Sequence, residues 1–207
     1  MWLAFYNREA VGDVLLLTRG SLDKVNVATV SKDNVTIICH KDTAEIMSVN
    51  LFDVGESLGL VGNSPIALNE SQVEQVNNLV KVFDLTIQVD NSPKFVVGHV
   101  EQCVDHEDSD HLHITQTRVG EDEVLQIVCG AGNIAQGQQV IVAKPGAVMP
   151  SGAIIWDGEL RGVASHGMIC STRELNLTEI EDKPGIWVLP QDFAAGTPLA
   201  EVVANLA

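Results

Sequence analysis

Short runs of alternating apolar and polar residues dominate the second half of the chain. In one of them, Leu112 and Ile114 alternate with His113, Thr115 and Thr117, which is the period of a strand with one apolar and one polar face. The same half contains five predicted strands separated by glycine-bearing turns: Phe95–Val104, His111–Arg118, Val124–Cys129, Val140–Ala143 and Ile186–Leu189. Several short strands without long helices between them predict a small closed β-barrel.

The first part of the chain has an α+β pattern. Two β-branched runs, Val25–Val30 and Val35–Cys39, are separated by a polar four-residue turn and predict a hairpin. Apolar residues at helical intervals then predict an amphipathic helix over 72–83. Ser71 and Glu74 have the spacing of a capping box at its start.

A polar, turn-rich segment over 88–93 separates these two patterns and marks the predicted domain boundary. We expect an N-terminal α+β accessory domain over 1–88 and a barrel of the OB-fold type over 93–207. The predicted fold class is therefore mainly β, with an OB-fold β-barrel preceded by a small α+β domain.

The charge of the chain argues against nucleic acid as a ligand. Among 207 residues, 12 are Lys or Arg and 28 are Asp or Glu, which gives a net charge of −16. The acidity is present in both parts, with a net charge of −6 over 1–92 and −10 over 93–207. Binding to phosphates usually depends on Lys and Arg that release condensed counterions.

Targeting signals and cysteine pairs are not evident in the sequence. The start, Met1–Asn7, lacks a basic stretch followed by an apolar one, and no apolar run reaches the roughly 18 residues of a membrane span, so we expect a cytoplasmic protein without a membrane partner. The four cysteines are far apart and form no C-x-x-C pair, which favours reduced thiols over disulfides or zinc.

The densest polar cluster is the segment 105–113, which is rich in aspartate and histidine. Here His106, Asp108, His111 and His113 could hold a catalytic metal, but their spacing matches no metal motif. The interpretation that we favour is a solvated turn, in which His106 and Asp110 fix the loop by hydrogen bonds to the backbone.

Two other segments suggest nucleophiles only weakly. Cys129 lies in apolar surroundings, as small buried cysteines usually do. Ser165 and His166 are adjacent and point apart on an extended segment, and the surrounding G-x-x-S-x-G spacing is not that of a nucleophile elbow. We therefore expect no enzyme activity and no cofactor.

Five sequence blocks occur in a fixed order over the second half: Val97-Gly98-x-Val100, His106-x-x-x-Asp110-x-Leu112, Ile127-Val128-Cys129-Gly130-Ala131-x-Asn133, Ala143-x-Pro145-Gly146 and the long block from Leu160 to Leu175. Together they resemble the tRNA-binding domain of endothelial-monocyte-activating-polypeptide-like proteins and of the N-terminal region of bacterial phenylalanyl-tRNA synthetase β subunits. The whole-chain layout is similar to that of stand-alone bacterial YtpR-like proteins.

This resemblance implies a cytoplasmic OB-fold protein that binds tRNA without catalysis, by backbone and shape contacts. It leaves open a homodimer, and a partner such as an aminoacyl-tRNA synthetase or another translation-linked protein. The candidate RNA-binding residues are Lys94, His111, Arg118, Lys144, Arg161, Ser165 and Arg173. We expect Lys144, Arg161 and Arg173 to supply most of the phosphate contact, and Arg161 to hold a turn carbonyl or a carboxylate such as that of Glu174 if its role is structural.

The chain departs from the family pattern in the first loop. Glu107, Ser109 and His111 stand where the family commonly has Pro, Ala and Lys, so a cation is replaced by a group that is mostly neutral at pH 7. This change and the acidic surface favour an alternative function, a protein-interaction or chaperone-like module that keeps the barrel but binds RNA weakly or not at all.

Overall fold

The computed structural model describes residues 1–21, 26–62 and 64–206. These residues form two compact units, Met1–Ser92 and Pro93–Ala207. The fold is mainly β, with a small first unit and a barrel-like sheet in the second, which confirms the predicted fold class.

The first unit is built on an antiparallel sheet with the strand order β1-β2-β5-β4-β3. Its strands are β1 (Leu3–Tyr6), β2 (Val14–Thr18), β3 (Val27–Lys32), β4 (Val35–His40) and β5 (Ile46–Phe52). The pairing of β3 with β4 confirms the predicted hairpin, although Val25 lies outside the described residues.

Two helices accompany this sheet, α1 (Arg8–Val11) and α2 (Glu70–Val80), and a 3-10 turn follows α2 over Lys81–Phe83. The predicted capping box was wrong by two residues. The Asn69 side chain accepts a hydrogen bond from the Gln72 backbone at 2.9 Å, and the Gln72 side chain accepts one from the Asn69 backbone at 2.9 Å. Asparagine is among the strongest N-caps, and this reciprocal pair satisfies two helix-terminal donors, so α2 begins earlier than Ser71.

The core of the first unit includes apolar residues of both the sheet and α2. Leu15 and Leu51 of the sheet and Val76 and Val80 of α2 are all fully buried in one cluster. This cluster gives the unit a hydrophobic core of its own.

The described residues of the second unit form seven strands: β6 (Phe95–Asp105), β7 (His113–Arg118), β8 (Val124–Cys129), β9 (Gln139–Ala143), β10 (Asp157–Leu160), β11 (Val163–His166) and β12 (Met168–Ile169). It ends in the helix α3 (Leu199–Leu206). The main sheet has the order β12-β9-β6-β7-β8, and β10 pairs with β11 in a separate hairpin.

The main sheet is nearly closed, because β11 lies beside its far edge strand. The Gln126 side-chain amide of β8 donates to the Ala164 carbonyl of β11 at 2.9 Å, and the Val128 backbone N–H donates to Ser165 Oγ at 3.1 Å. The chain then passes through Gly167 and pairs as β12 with β9, at the opposite edge of the sheet. One continuous segment therefore joins both edges of the sheet.

Two sequence-based assignments in this unit differ from the structure. The segment Ile186–Leu189 is not a strand but an extended stretch with a single bridge between Val140 and Val188, because the Trp187 and Leu189 backbone N–H groups donate to different segments of the barrel. β7 begins at His113 rather than His111. After β12, residues 172–176 form a turn, and the Ser171 hydroxyl donates to the Glu174 carboxylate at 2.7 Å.

The polar face of β7 is the inward one. Thr115 and Thr117 are completely buried, whereas Ile114 and Gln116 are partly exposed. Thr115 Oγ1 donates to the Ile127 carbonyl at 3.0 Å and lies 3.0 Å from Thr117 Oγ1. Because both hydroxyls are hydrogen-bonded, the barrel interior accommodates them at low cost.

Candidate nucleic-acid interface

The β6–β7 loop and the β10–β11 turn lie against each other. An Arg161 guanidinium nitrogen donates to the Asp108 carbonyl at 2.8 Å. His106 is 3% exposed, its Nδ1 accepts a hydrogen bond from the Asp108 backbone at 3.0 Å, and its Nε2 lies 3.4 Å from the Leu160 carbonyl. The expectation that His106 fixes this loop is confirmed, and Arg161 holds a carbonyl rather than Glu174.

The turn that carries Arg161 has an unusual backbone. Arg161 and Gly162 both have a positive φ, 46° and 82°, and they connect the paired residues Leu160 and Val163. Two-residue hairpin turns of this kind favour Asn-Gly. Arginine at the first position costs about 1 kcal/mol of local strain. The backbone of this turn is therefore strained at the residue that carries the guanidinium group.

His111 is exposed on the same β6–β7 loop. Its Nδ1 lies 2.9 Å from Asp110 Oδ1, and this hydrogen bond lowers the pKa of the Asp110 carboxyl group. A protonated imidazole would thus already have a carboxylate neighbour, which reduces the positive charge that it could offer to a phosphate.

Three other predicted cations are paired with carboxylates: Arg118 with Glu101 at 2.7 Å, Lys144 with Glu123 at 2.6 Å and Arg173 with Asp182 at 2.9 Å. Exposed pairs contribute only about 0–1 kcal/mol, so a phosphate can compete for Arg173, whereas the Lys144 side chain is only 17% exposed and is the least accessible of the three. Arg161 differs from them, since its guanidinium donates to a carbonyl oxygen and its charge is not cancelled by that contact.

Lys94 and Ser165 complete the predicted set. The Lys94 carbonyl accepts a hydrogen bond from the Lys144 backbone at 2.8 Å, which places Lys94, just before the start of β6, beside Lys144, just after the end of β9. Ser165 is only 5% exposed, and its Oγ accepts the hydrogen bond from Val128. Its hydroxyl is used to attach β11 to β8, so Ser165 positions the strand that follows Arg161.

A row of three glutamines, which the sequence analysis did not single out, lies on the outer side of β6, β7 and β8. The strand register places Gln102 opposite Gln116, and Gln116 opposite Gln126. The Gln116 amide donates to Gln126 Oε1 at 3.0 Å. Alternation alone places Gln116 on the face opposite to Thr115, but the cross-strand partners depend on the register and could not be read from the pattern.

The cysteines are poorly suited to nucleophilic chemistry. Burial raises the pKa of the Cys129 thiol, and it raises that of Cys170 to about 12. Both thiols are therefore protonated at neutral pH, whereas the thiolate is the reactive form.

Within the described residues, no three His, Cys, Asp or Glu side chains are grouped so that they could hold a metal ion. No helix in the described parts of the chain is long and apolar enough to cross a membrane.

Replacing Arg161 by asparagine separates its charge from its turn. We expect the unfolding temperature of Arg161→Asn to lie within a few degrees of the wild-type value. Asparagine tolerates the positive φ better than arginine does, and this gain offsets the loss of the hydrogen bond to Asp108. If Arg161 contacts a phosphate, the salt dependence of tRNA binding should fall by about one counterion. Thermal unfolding and a salt titration measure the two effects. An unchanged salt slope in a stable variant would show that Arg161 makes no phosphate contact.

Comparison with known proteins assigns both parts of the chain. Residues 95–198 match a family model described as "Putative tRNA binding domain", and residues 23–91 match one described as a domain of unknown function. The second unit is thus a β-barrel of the tRNA-binding domain class. The chain is 46% identical to the "Putative tRNA-binding protein YtpR" of Bacillus subtilis over 93% of its own length and 96% of that protein. It belongs to the YtpR family, as its whole-chain layout indicated.

Other relatives match a smaller share of the chain. The chain is 53% identical to the phenylalanine–tRNA ligase β subunit of Oceanobacillus iheyensis over 50% of its own length, which corresponds to 13% of that subunit. The solved C-terminal domain of Plasmodium vivax p43 is 23% identical, with a TM-score of 0.36, over 53% of this chain and 61% of that domain.

Proposed function

We propose that this protein binds tRNA through its C-terminal barrel, by contacts to the backbone and shape of the folded RNA and without catalysis. The observation that carries the proposal is the position of Arg161. Within the family-matched segment 95–198, the turn of this arginine is docked onto the β6–β7 loop, and the contact with the Asp108 carbonyl leaves the guanidinium charge uncancelled. In OB-folds, this loop and the segment before the last strand are common nucleic-acid contacts.

The aromatic residues support shape contacts rather than base stacking. The second unit has Phe95, Trp156, Trp187 and Phe193, and none of them is exposed. Single-strand binders usually stack successive bases on exposed aromatic side chains. A folded tRNA offers phosphates and riboses instead, which need cations and hydrogen-bonding groups.

The proposed phosphate contacts are a small set of cations on a repelling background. Arg161 contributes first, and Lys144 and Arg173 contribute by exchanging a carboxylate partner for a phosphate. Lys94, Arg118 and His111 are secondary contacts, while Ser165 acts by positioning β11. With a net charge of −10 on residues 93–207, we expect weak affinity that is lost steeply as salt is added.

The experiment that tests this function is a titration with total tRNA at about 50 mM and about 200 mM salt, with duplex DNA of equal charge as competitor. We expect binding at the lower salt, at least a tenfold loss at the higher one, and weaker competition by DNA than by unlabelled tRNA. If the protein binds no tRNA even at low salt, the protein-interaction module becomes the better description.

A further inference from the structure

The three outward glutamines, Gln102, Gln116 and Gln126, form a continuous polar row across β6, β7 and β8, which we call the glutamine row. Adjacent strands are about 4.8 Å apart, so the row extends over about 10 Å of surface. Gln102 is exposed, and Gln116 and Gln126 are partly exposed. The row belongs to the barrel surface and is not part of its core.

The hydrogen bonds within the row run in one direction. Gln126 donates to the Ala164 carbonyl at 2.9 Å, and Gln116 donates to Gln126 at 3.0 Å. Each amide has two N–H donors and a carbonyl with two lone pairs. These bonds therefore orient the amides and leave further donors and acceptors directed outward. The side chain of Gln102 makes no hydrogen bond to any part of the chain that the structure describes, so its whole side-chain amide is available.

Candidate phosphate contacts lie near the row, as the binding of an RNA backbone requires. Arg118 lies two residues after Gln116 and thus on the same side of β7. At the β8 end of the row, Gln126 contacts Ala164 of β11, three residues after Arg161. The row therefore lies between two candidate phosphate contacts. It carries no charge, so it does not add to the repulsion of phosphates by this acidic unit.

We propose that the glutamine row binds riboses of the tRNA backbone through their 2′-hydroxyl groups, which deepens the tRNA-binding function proposed above and rests on it. A 2′-hydroxyl both donates and accepts hydrogen bonds, as an amide does, whereas a phosphate oxygen only accepts. Contacts between neutral groups release no counterions. The row therefore discriminates RNA from DNA, and this discrimination does not depend on salt.

The test compares the wild type with a variant that carries Gln102→Thr, Gln116→Thr and Gln126→Thr. Threonine suits a strand but is too short to reach the ligand. Each protein is titrated with a tRNA transcript and with DNA of the same sequence, which lacks the 2′-hydroxyls. We expect the ratio of RNA affinity to DNA affinity to fall about tenfold or more in the variant, as the loss of a few hydrogen bonds implies, with the salt slope unchanged.

Two further variants keep the result interpretable. Gln102→Thr alone breaks no bond within the protein and should lower the ratio by about threefold. Gln75→Thr, Gln136→Thr and Gln191→Thr together change three exposed glutamines elsewhere and should leave the ratio at the wild-type value.

The possible failures are distinguishable. If the wild type binds tRNA and the ratio is the same in the glutamine-row variants, or if RNA and DNA affinities fall equally, the glutamine row does not contact 2′-hydroxyls, while the tRNA-binding function stands. If the wild type binds no tRNA at low salt, both the function and this inference are overturned.

Discussion

Changing Lys144, Arg161 and Arg173 together to alanine is expected to weaken tRNA binding about a hundredfold at about 50 mM salt. Three phosphate contacts contribute about two units to the slope of log affinity against log salt, so the variant should also show a slope that is shallower by that amount. The loss is compounded because Glu123 and Asp182 no longer have cationic partners and face the RNA as bare carboxylates. A filter-binding or fluorescence titration at several salt concentrations measures both quantities.

The matched control removes the same charge from the first unit. Arg8, Lys32 and Lys81 are exposed there, and changing all three to alanine alters the net charge of the chain by the same three units. If the interface is local, this control keeps most of the affinity, because exposed charges more than about 10 Å from a ligand are largely screened at 0.1 M salt. Equal losses in both variants would mean that overall charge, and not the three named cations, governs binding. Unchanged affinity in the Lys144, Arg161 and Arg173 variant would contradict the proposed phosphate contacts.

Gly167→Ala is expected to destabilise the second unit by at least about 2 kcal/mol. Gly167 has a φ of 122°, which L-residues rarely adopt, and a Cβ there would lie 2.8 Å from the Ala143 carbonyl oxygen. This glycine is where the chain passes from β11, which lies beside β8, to β12, which pairs with β9, so the alanine methyl group must displace either β12 or the end of β9. Thermal or urea unfolding should show the loss. We also expect weaker tRNA binding, since β11 carries the turn of Arg161.

Alanine substitutions at two other glycines separate the cost of the positive φ from the cost of the close contact with Ala143. A Cβ at Gly152 meets no atom within 4 Å, but the φ of that residue is 88°, so Gly152→Ala measures the backbone cost alone. Gly158 has neither a positive φ nor a neighbour within 4 Å, and Gly158→Ala should change stability by less than about 1 kcal/mol. If Gly167→Ala is no more destabilising than Gly152→Ala, the close approach to Ala143 does not constrain the closure of the barrel.

Local patterns predicted most of the β-structure because strand periodicity is a local property. The alternation in β7 and the β-branched runs of β3 and β4 needed only neighbours in sequence to be recognised. The start of α2 was misplaced because Asn69 and Ser71 are both good N-caps, and each is followed three residues later by a side chain that can complete a capping box. In the structure the reciprocal hydrogen bonds form between Asn69 and Gln72. The stretch at 186–189 resembles a strand in composition but divides its hydrogen bonds between two segments.

The candidate site was harder to predict than the fold. The ordered blocks pointed to the family and brought Arg161 into consideration, and the structure adds that its guanidinium lies on the Asp108 carbonyl. The pairing of Lys144 with Glu123 joins residues 21 positions apart, so no local rule reveals it. Ser165 lay within a family block, but its burial and its bond to Val128 appear only once β11 is placed beside β8.

The sequence by itself determined the mainly β class and the family of the chain, because these depend on periodicity, composition and the order of short blocks. Only the tertiary structure decided which face of β7 points inward, since buried threonines find hydrogen-bond partners across the barrel. It also decided which cations are neutralised by carboxylates and which glutamines form a row. Those properties depend on strand register and on contacts between distant residues, and both are set by how the sheet closes rather than by any short stretch of sequence.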